Sequence, residues 1–257
     1  MRNEVALVTG AAQGLGRGFS EALLRRGAKV CVADIKVQTG EATVLNFQQQ
    51  FGRDRVFFVK CDVTSEEDVK AAVQATRGRF GKLTIMVNNA GMSSEAEWSK
   101  MVDVNLKGVI VGTQEAVAAM RRDAGGQGGV VVNIASAAGL IPVHTTPVYA
   151  ATKFGVVGFT RSWAANPHLP SLGLSFSCIC PTFTDTDMIV HDDSRKGRCL
   201  YSEDSQRVMA EVGVMPVSQV VSAFEQLLDS PDNNGVVMAV TNIKGVRIRR
   251  HGRPSRL

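Results

Sequence analysis

The sequence predicts an α/β protein, a single doubly wound sheet of about seven mainly parallel strands flanked by helices. Three observations carry this. Short β-branched runs alternate with longer amphipathic stretches along the chain. Several of those runs are apolar throughout, as strands covered on both faces must be. The 25 glycines, against eight prolines, are spread as punctuation between strands and helices rather than gathered into a linker. At 257 residues and 44% hydrophobic, the chain is long enough to bury one full core.

The first strand is 5–9, Val-Ala-Leu-Val-Thr, and a helix at 15–26 follows the glycines at 10 and 14. Strand 29–33 with helix 38–51, then strand 56–60 with helix 66–80, repeat the unit. The last of these helices has a clear start. Thr64 and Ser65 offer capping hydroxyls, and Glu66, Glu67 and Asp68 place acids where the helix dipole favours them. Strand 85–88 leads into one long helix, 98–121, and strand 130–135 into a helix at 149–165. Strand 174–180, helix 218–228 and strand 236–240 complete the pattern. The stretch between Pro181 and Val217 breaks it, being polar and carrying Asp185, Asp187, Asp192, Asp193, Arg195, Lys196 and Arg198. It follows a strand's carboxyl end, where open α/β sheets bind ligands, so a substrate lid over about 182–215 is expected.

Composition excludes several classes. The net charge is +5, but Arg247, Arg249, Arg250, Arg253 and Arg256 crowd the last twelve residues, and the remainder is balanced at 24 basic and 24 acidic. A neutral domain (1–246) with a basic, solvated tail (247–257) does not make a nucleic-acid face. No apolar run approaches the roughly 20 residues of a membrane span. No signal peptide is expected either, since Met1-Arg2-Asn3-Glu4 runs straight into the first strand. The five cysteines, Cys31, Cys61, Cys178, Cys180 and Cys199, lack disulfide or zinc spacing, and His144, His168, His191 and His251 are scattered. Reduced core thiols, no metal and a reducing, cytoplasmic location are expected.

Thr9-Gly10-Ala11-Ala12-Gln13-Gly14-Leu15-Gly16 joins the first strand to the first helix. Glycines there let the backbone turn sharply and approach a pyrophosphate, which rests on the helix N-terminus. The spacing is one residue longer than the usual dinucleotide fingerprint, so its strand-to-helix context gives it meaning. Asp34 ends the second strand, eighteen residues past Gly16. A carboxylate there accepts both hydroxyls of an adenosine ribose and repels a 2′-phosphate, so NAD is expected over NADP even with Lys36 nearby. Asp62, in Cys61-Asp62-Val63 at the third strand's end, can accept from an adenine amino group. Asn88-Asn89-Ala90-Gly91 closes the fourth strand with amides and small residues along the cofactor's path.

Tyr149-Ala150-Ala151-Thr152-Lys153 opens a helix with Tyr149 and Lys153 on one face. A phenol with a pKa of roughly 10 is a poor base at neutral pH. A neighbouring ammonium and a positive nicotinamide ring stabilise the phenolate and make it usable for an alcohol proton. The spacing alone also fits an ordinary surface pair. Ser136, just past the fifth strand, and Asn105, in the fourth long helix, corroborate the catalytic reading.

With these elements in this order, the chain resembles the short-chain dehydrogenase/reductase family over nearly its whole length, with the Rossmann-type fold that implies. The resemblance implies that Tyr149 takes the substrate's hydroxyl proton while hydride passes to the nicotinamide. Ser136 would hydrogen-bond the reacting oxygen. Lys153 would lower the Tyr149 pKa and contact the nicotinamide ribose, and Asn105 would support a water-linked relay to Lys153. The implied NAD contacts begin with Gly10, Ala12, Gln13, Gly14, Leu15 and Gly16. Asp34 and Ile35 follow, then Cys61, Asp62 and Val63, then Asn89, Ala90 and Gly91. Tyr149, Lys153, Pro181, Thr184 and Thr186 complete them, and Ser136, Thr146 and Tyr149 would face the substrate.

A closer likeness within the family runs through Ala6 to Gly14, Pro147-Val148-Tyr149, Gly155 to Ser162 and Lys244-Gly245. It implies a secondary alcohol on an apolar or lipid-like molecule. Thr146 stands where that likeness has a longer glutamine, and Thr182 where the family usually has glycine. The first reaches less far, and the second narrows the nicotinamide end. The implied partners are a small alcohol or ketone and further copies of the chain, as a homodimer or homotetramer. Two other readings stay open: an NADP-linked carbonyl reductase, opposed by Asp34, and a catalytically silent NAD-binding regulator, opposed by the intact reacting set. Ser255-Arg256-Leu257 resembles a peroxisomal import tripeptide, an alternative to the cytoplasm.

Overall fold

The computed structural model describes residues 1, 3–189 and 197–249. Its strands are β1 Val5–Thr9, β2 Lys29–Asp34, β3 Val56–Lys60, β4 Ile85–Asn88, β5 Gly129–Ile134, β6 Leu174–Pro181, β7 Val237–Thr241 and β8 Gly245–Arg249. They form one sheet in the order β3-β2-β1-β4-β5-β6-β7-β8, parallel except where β8 turns back on β7. Strand order reverses between β1 and β4, which opens a crevice at the carboxyl ends of these strands.

Helices cover both faces. They are α1 Gly14–Arg25, α2 Val37–Phe51, α3 Glu66–Phe80, α4 Trp98–Val102, α5 Gly108–Met120, α6 Pro147–Ala164, α7 Leu169–Leu172, α8 Ser202–Val212 and α9 Val217–Asp229. Side chains alternate along a strand, so β1 sends Ala6 and Val8 to one face and Leu7 to the other. Ala6 and Val8 join Phe19, Leu23 and Phe47 of α1 and α2 with Phe224 of α9. Leu7 joins Val69 and Val73 of α3 with Val117 and Met120 of α5. Each of the larger of these side chains, fully buried, contributes roughly 1.5–3 kcal/mol. The start of α3 is as expected, with Ser65 Oγ accepting from the Asp68 N–H at 3.1 Å.

The differences from expectation are local. The expected long helix at 98–121 is interrupted by a π-helical turn, Asp103–Lys107, between α4 and α5. The polar stretch after β6 contains a helix, α8, with no buried residue. The expected solvated tail begins too early. Arg247 and Arg249 stand on β8, in register with Ala239 and Val237 of β7. Arg250, His251, Arg253, Ser255, Arg256 and Leu257 lie outside the described residues, as do His191, Asp192, Asp193, Arg195 and Lys196. Among the described residues no helix is long and apolar enough to cross a membrane. Cys31, Cys61, Cys178 and Cys180 are free and buried. Burial pushes the thiols of Cys31 and Cys61 up to about 12.

Candidate active site

β1 runs straight into the glycine turn. Gly10 and Gly14 have φ of +61° and +56°, which side chains rarely adopt. A Cβ on Gly16 would stand 2.3 Å from the Gly10 carbonyl oxygen, so α1 starts pressed against the turn it leaves. Thr9 and Asn89 tie this turn to β4. Thr9 Oγ1 accepts from the N–H groups of Asn89 (3.0 Å) and Ala90 (3.1 Å). Asn89 Nδ2 donates to the carbonyls of Thr9 (2.9 Å) and Gly10 (3.0 Å). The Asn89 amide thus helps to shape the turn. Asn88 points into the protein, donating to Thr113 Oγ1 at 3.1 Å and Asn133 Oδ1 at 2.8 Å.

Asp34 is buried at the end of β2. Its Oδ2 accepts from the Ala12 N–H and its Oδ1 from the Lys36 N–H, each at 2.9 Å. The carboxylate is thus fixed, and each oxygen keeps lone-pair capacity for a ribose hydroxyl. The Lys36 ammonium is drawn aside to Gln13 Oε1 (3.2 Å), while Gln13 Nε2 donates to Asp187 (2.6 Å). Ile35 beside Asp34 is exposed. Asp62 takes both Thr64 bonds, from N–H and Oγ1, on Oδ1. Cys61 and Val63 send their side chains into the core. Past Pro181, Thr184 Oγ1 donates to the Thr182 carbonyl (3.1 Å) and Thr186 Oγ1 to that of Thr184 (3.3 Å). Thr182 Oγ1 donates to the Val240 carbonyl at 3.5 Å, towards β7. The residues present fit a dinucleotide: a bare glycine turn leading into α1, with a fixed carboxylate one strand away.

The candidate reacting groups gather at the ends of β5 and β6. Lys153 is 4% exposed. Its Nζ donates to the Ile134 carbonyl (3.1 Å) and lies 5.6 Å from the Tyr149 ring centre. Ser136 follows β5, accepts from the Ala138 N–H at 3.2 Å, donates to the Pro181 carbonyl at 3.4 Å and stands beside the Tyr149 phenol. Gly139 lets this loop lie on α6, since a Cβ there would be 2.6 Å from the Lys153 carbonyl oxygen. Asn105 sits on the π-helical turn, fully buried. Its Oδ1 accepts from the Met92 N–H and its Nδ2 donates to the Met92 carbonyl, both at 2.8 Å. A second Nδ2 bond reaches Thr152 Oγ1 at 3.3 Å. Gly91 packs between Asn105 and Lys153, where a Cβ would lie 3.3 Å from Oδ1 and 3.6 Å from Nζ.

Burial pushes the Tyr149 phenol above its ordinary value, with the Ser136 hydrogen bond pulling the other way. Burial also pulls the Lys153 ammonium down to about 8. The net shift of Tyr149 is upward, because removing a phenolate from water outweighs the Ser136 contribution.

Thr146 occupies the N-cap position of α6 but makes no capping bond. Glu95 does that work instead. Its carboxylate accepts from the Val148 and Tyr149 N–H groups at 3.1 and 2.9 Å. No local sequence signal marked it, because it lies more than fifty residues upstream of the helix it caps.

The fold and this site define a short-chain dehydrogenase, and the chain belongs to that family, whose model matches residues 4–197. Its relatives include the 15-hydroxyprostaglandin dehydrogenase, NAD(+), of Bos taurus, 37% identical over 252 residues, covering 97% of this chain and 95% of that protein. The Homo sapiens protein of the same name is 35% identical, again over 97% and 95% of the two chains. Among solved structures, levodione reductase matches with a TM-score of 0.81 and 28% identity, covering 94% of this chain and 97% of that one.

Proposed function

We propose that this chain oxidises a secondary alcohol on an apolar, lipid-like molecule to the ketone, with NAD as hydride acceptor. The observation that carries this is Tyr149, Ser136 and Lys153 converging beside a cofactor turn and a fixed Asp34 carboxylate. NAD, when bound, supplies the hydride acceptor and a positive ring beside the phenol. Asp34 would hold the adenosine ribose, the glycine-turn backbone the pyrophosphate, and Lys153 the nicotinamide ribose. Tyr149 then takes the hydroxyl proton at its phenol oxygen, and Ser136 Oγ hydrogen-bonds the reacting oxygen. The Lys153 ammonium favours the phenolate, and Asn105, anchored on Met92, supports the relay that reaches Lys153. The names of the prostaglandin relatives support a lipid alcohol. So do Ile141, Leu200 and Tyr201, exposed apolar surface near the start of α6, with 182–215 as the lid.

The test is absorbance of reduced nicotinamide with NAD, then NADP, over a panel of hydroxy lipids and steroids. Turnover with NAD alone is expected. Saturable NAD binding without turnover would leave a silent binding protein, and equal rates with both cofactors would remove Asp34 as the selector. Tyr149→Phe should abolish turnover and leave NAD affinity within about twofold, since the phenol acts on the substrate proton. Near-wild-type turnover would take Tyr149 out of the mechanism.

We infer a homodimer or homotetramer, supported by exposed Trp98 and Phe154 on α4 and α6. Light scattering returning a monomer would reject it. A cytoplasmic location is proposed, with peroxisomal import through Ser255-Arg256-Leu257 as the alternative. Identical distribution of tagged chains with and without those three residues would dismiss import.

A further inference from the structure

Glu95 is an acid only 9% exposed, on the segment between β4 and α4. Both of its oxygens are spent on α6, on the N–H groups of Val148 (3.1 Å) and Tyr149 (2.9 Å). A helix leaves its first N–H groups without partners inside the helix. Here Pro147 opens α6 with none to offer and Thr146 makes no capping bond, so Glu95 takes the next two. One of these belongs to the tyrosine itself.

The main chain of Glu95 is held in turn. Its N–H donates to the Arg198 carbonyl at 3.1 Å, and the Ala96 N–H donates to that of Gly197 at 2.8 Å. Gly197 makes this approach feasible. Its φ is +92°, and a Cβ there would stand 2.8 Å from the Ala96 Cβ. From the same strip, the Leu200 N–H donates to the Thr145 carbonyl at 2.9 Å, immediately before α6. Residues 95–96, 197–200 and the start of α6 thus form one closed set of bonds.

We propose that Glu95 is a positioning residue: it fixes the main chain of Tyr149, and so the phenol against Ser136, and links that placement to the strip returning from the substrate side. The proposal rests on Tyr149 being the proton acceptor. A displacement of about 1 Å at a reacting group can cost on the order of a hundredfold in rate. The first turn of α6 donates two N–H bonds to this remote carboxylate, and losing them opens Tyr149 to such a displacement.

The test compares Glu95→Ala and Glu95→Gln with the unaltered chain, using NAD and 2-octanol as the probe alcohol. Tryptophan-fluorescence titration with NAD and amide exchange at Val148 and Tyr149 serve as readouts independent of turnover. In Glu95→Ala, kcat should fall at least about tenfold, with NAD affinity within about twofold and both amides exchanging faster. Glu95→Gln keeps one carbonyl acceptor and should recover part of both the rate and the protection. A Glu95→Ala protein with unaltered kcat and exchange overturns the proposal. So does a loss of rate matched by loss of NAD affinity, which marks general damage. No turnover of 2-octanol by the unaltered chain counts against the dehydrogenase reading. The exchange comparison then still decides whether Glu95 holds Tyr149.

Discussion

Tyr149 and Lys153 are both moved by burial away from their charged forms, and the two shifts act differently with pH. Alcohol oxidation needs the phenolate, so a raised Tyr149 pKa carries the active fraction to higher pH. Oxidation should climb between about pH 7 and 10 while ketone reduction declines, measured as kcat/KM in each direction. A flat oxidation profile across that window would remove Tyr149 as the base. For Lys153 the sign runs through stability. Its folded pKa of about 8 lies below the usual 10.5, so below pH 8 the protein bears the full penalty of a buried ammonium. That penalty is relieved as pH rises towards 10.5. Lys153→Met should therefore raise stability at neutral pH by up to about 3 kcal/mol, the gain shrinking as the medium turns alkaline, and should abolish turnover. Urea unfolding at several pH values checks it, and a gain independent of pH would contradict the titration. The grouping of Tyr149, Lys153, Ser136 and Asn105 was legible because their spacing along one helix and at strand ends is a matter of sequence. The direction of the Tyr149 shift was not, since burial belongs to the folded surroundings. The tie of Asn89 to the glycine turn was hidden for a related reason: an amide that donates to a ligand and one that donates to a carbonyl look alike in sequence.

Elements with an apolar stripe were legible nearly to the residue, as α3 and β1, β3 and β4 illustrate. Those without one were not. α8 has no buried residue, so its polar sequence looked like loop, and the arginines of β8 hid a strand whose outer residues face solvent. The π-helical turn at Asn105 was also hidden, because a single widened turn barely disturbs the apolar rhythm. It matters nonetheless, since Asn105 reaches Met92 from it. The contact between α1 and the glycine turn is a stricter constraint. Gly16→Ala places a Cβ 2.3 Å from the Gly10 carbonyl oxygen and 2.5 Å from Asn89 Nδ2. NAD affinity should fall at least about tenfold, or 1.4 kcal/mol, with a lower Tm. Unchanged affinity in a fluorescence titration would show that the turn tolerates a side chain.

At the scale of the whole molecule, the sheet is closed on one side by β8, which pairs with all five residues of β7. Ending the chain at Asn242 leaves β7 as an unprotected apolar edge. The shortened protein should melt earlier and associate on size exclusion, and a monodisperse protein of unchanged Tm would assign β8 no such role. The proposed cofactor side of the molecule is built from β1 to β4, whose carboxyl ends were readable as consecutive strand ends. The proposed substrate side draws on segments far apart in the chain, which is why its bonds surfaced only in three dimensions. The pairing of 95–96 with 197–198 also sets terms for redesign. Transplanting 182–215 from a relative to alter substrate range would bring in a strip cut to fit a different neighbour across the cleft. A graft that also carries 94–97 keeps that seam intact, and substitutions on its two sides should be found to travel together among homologues.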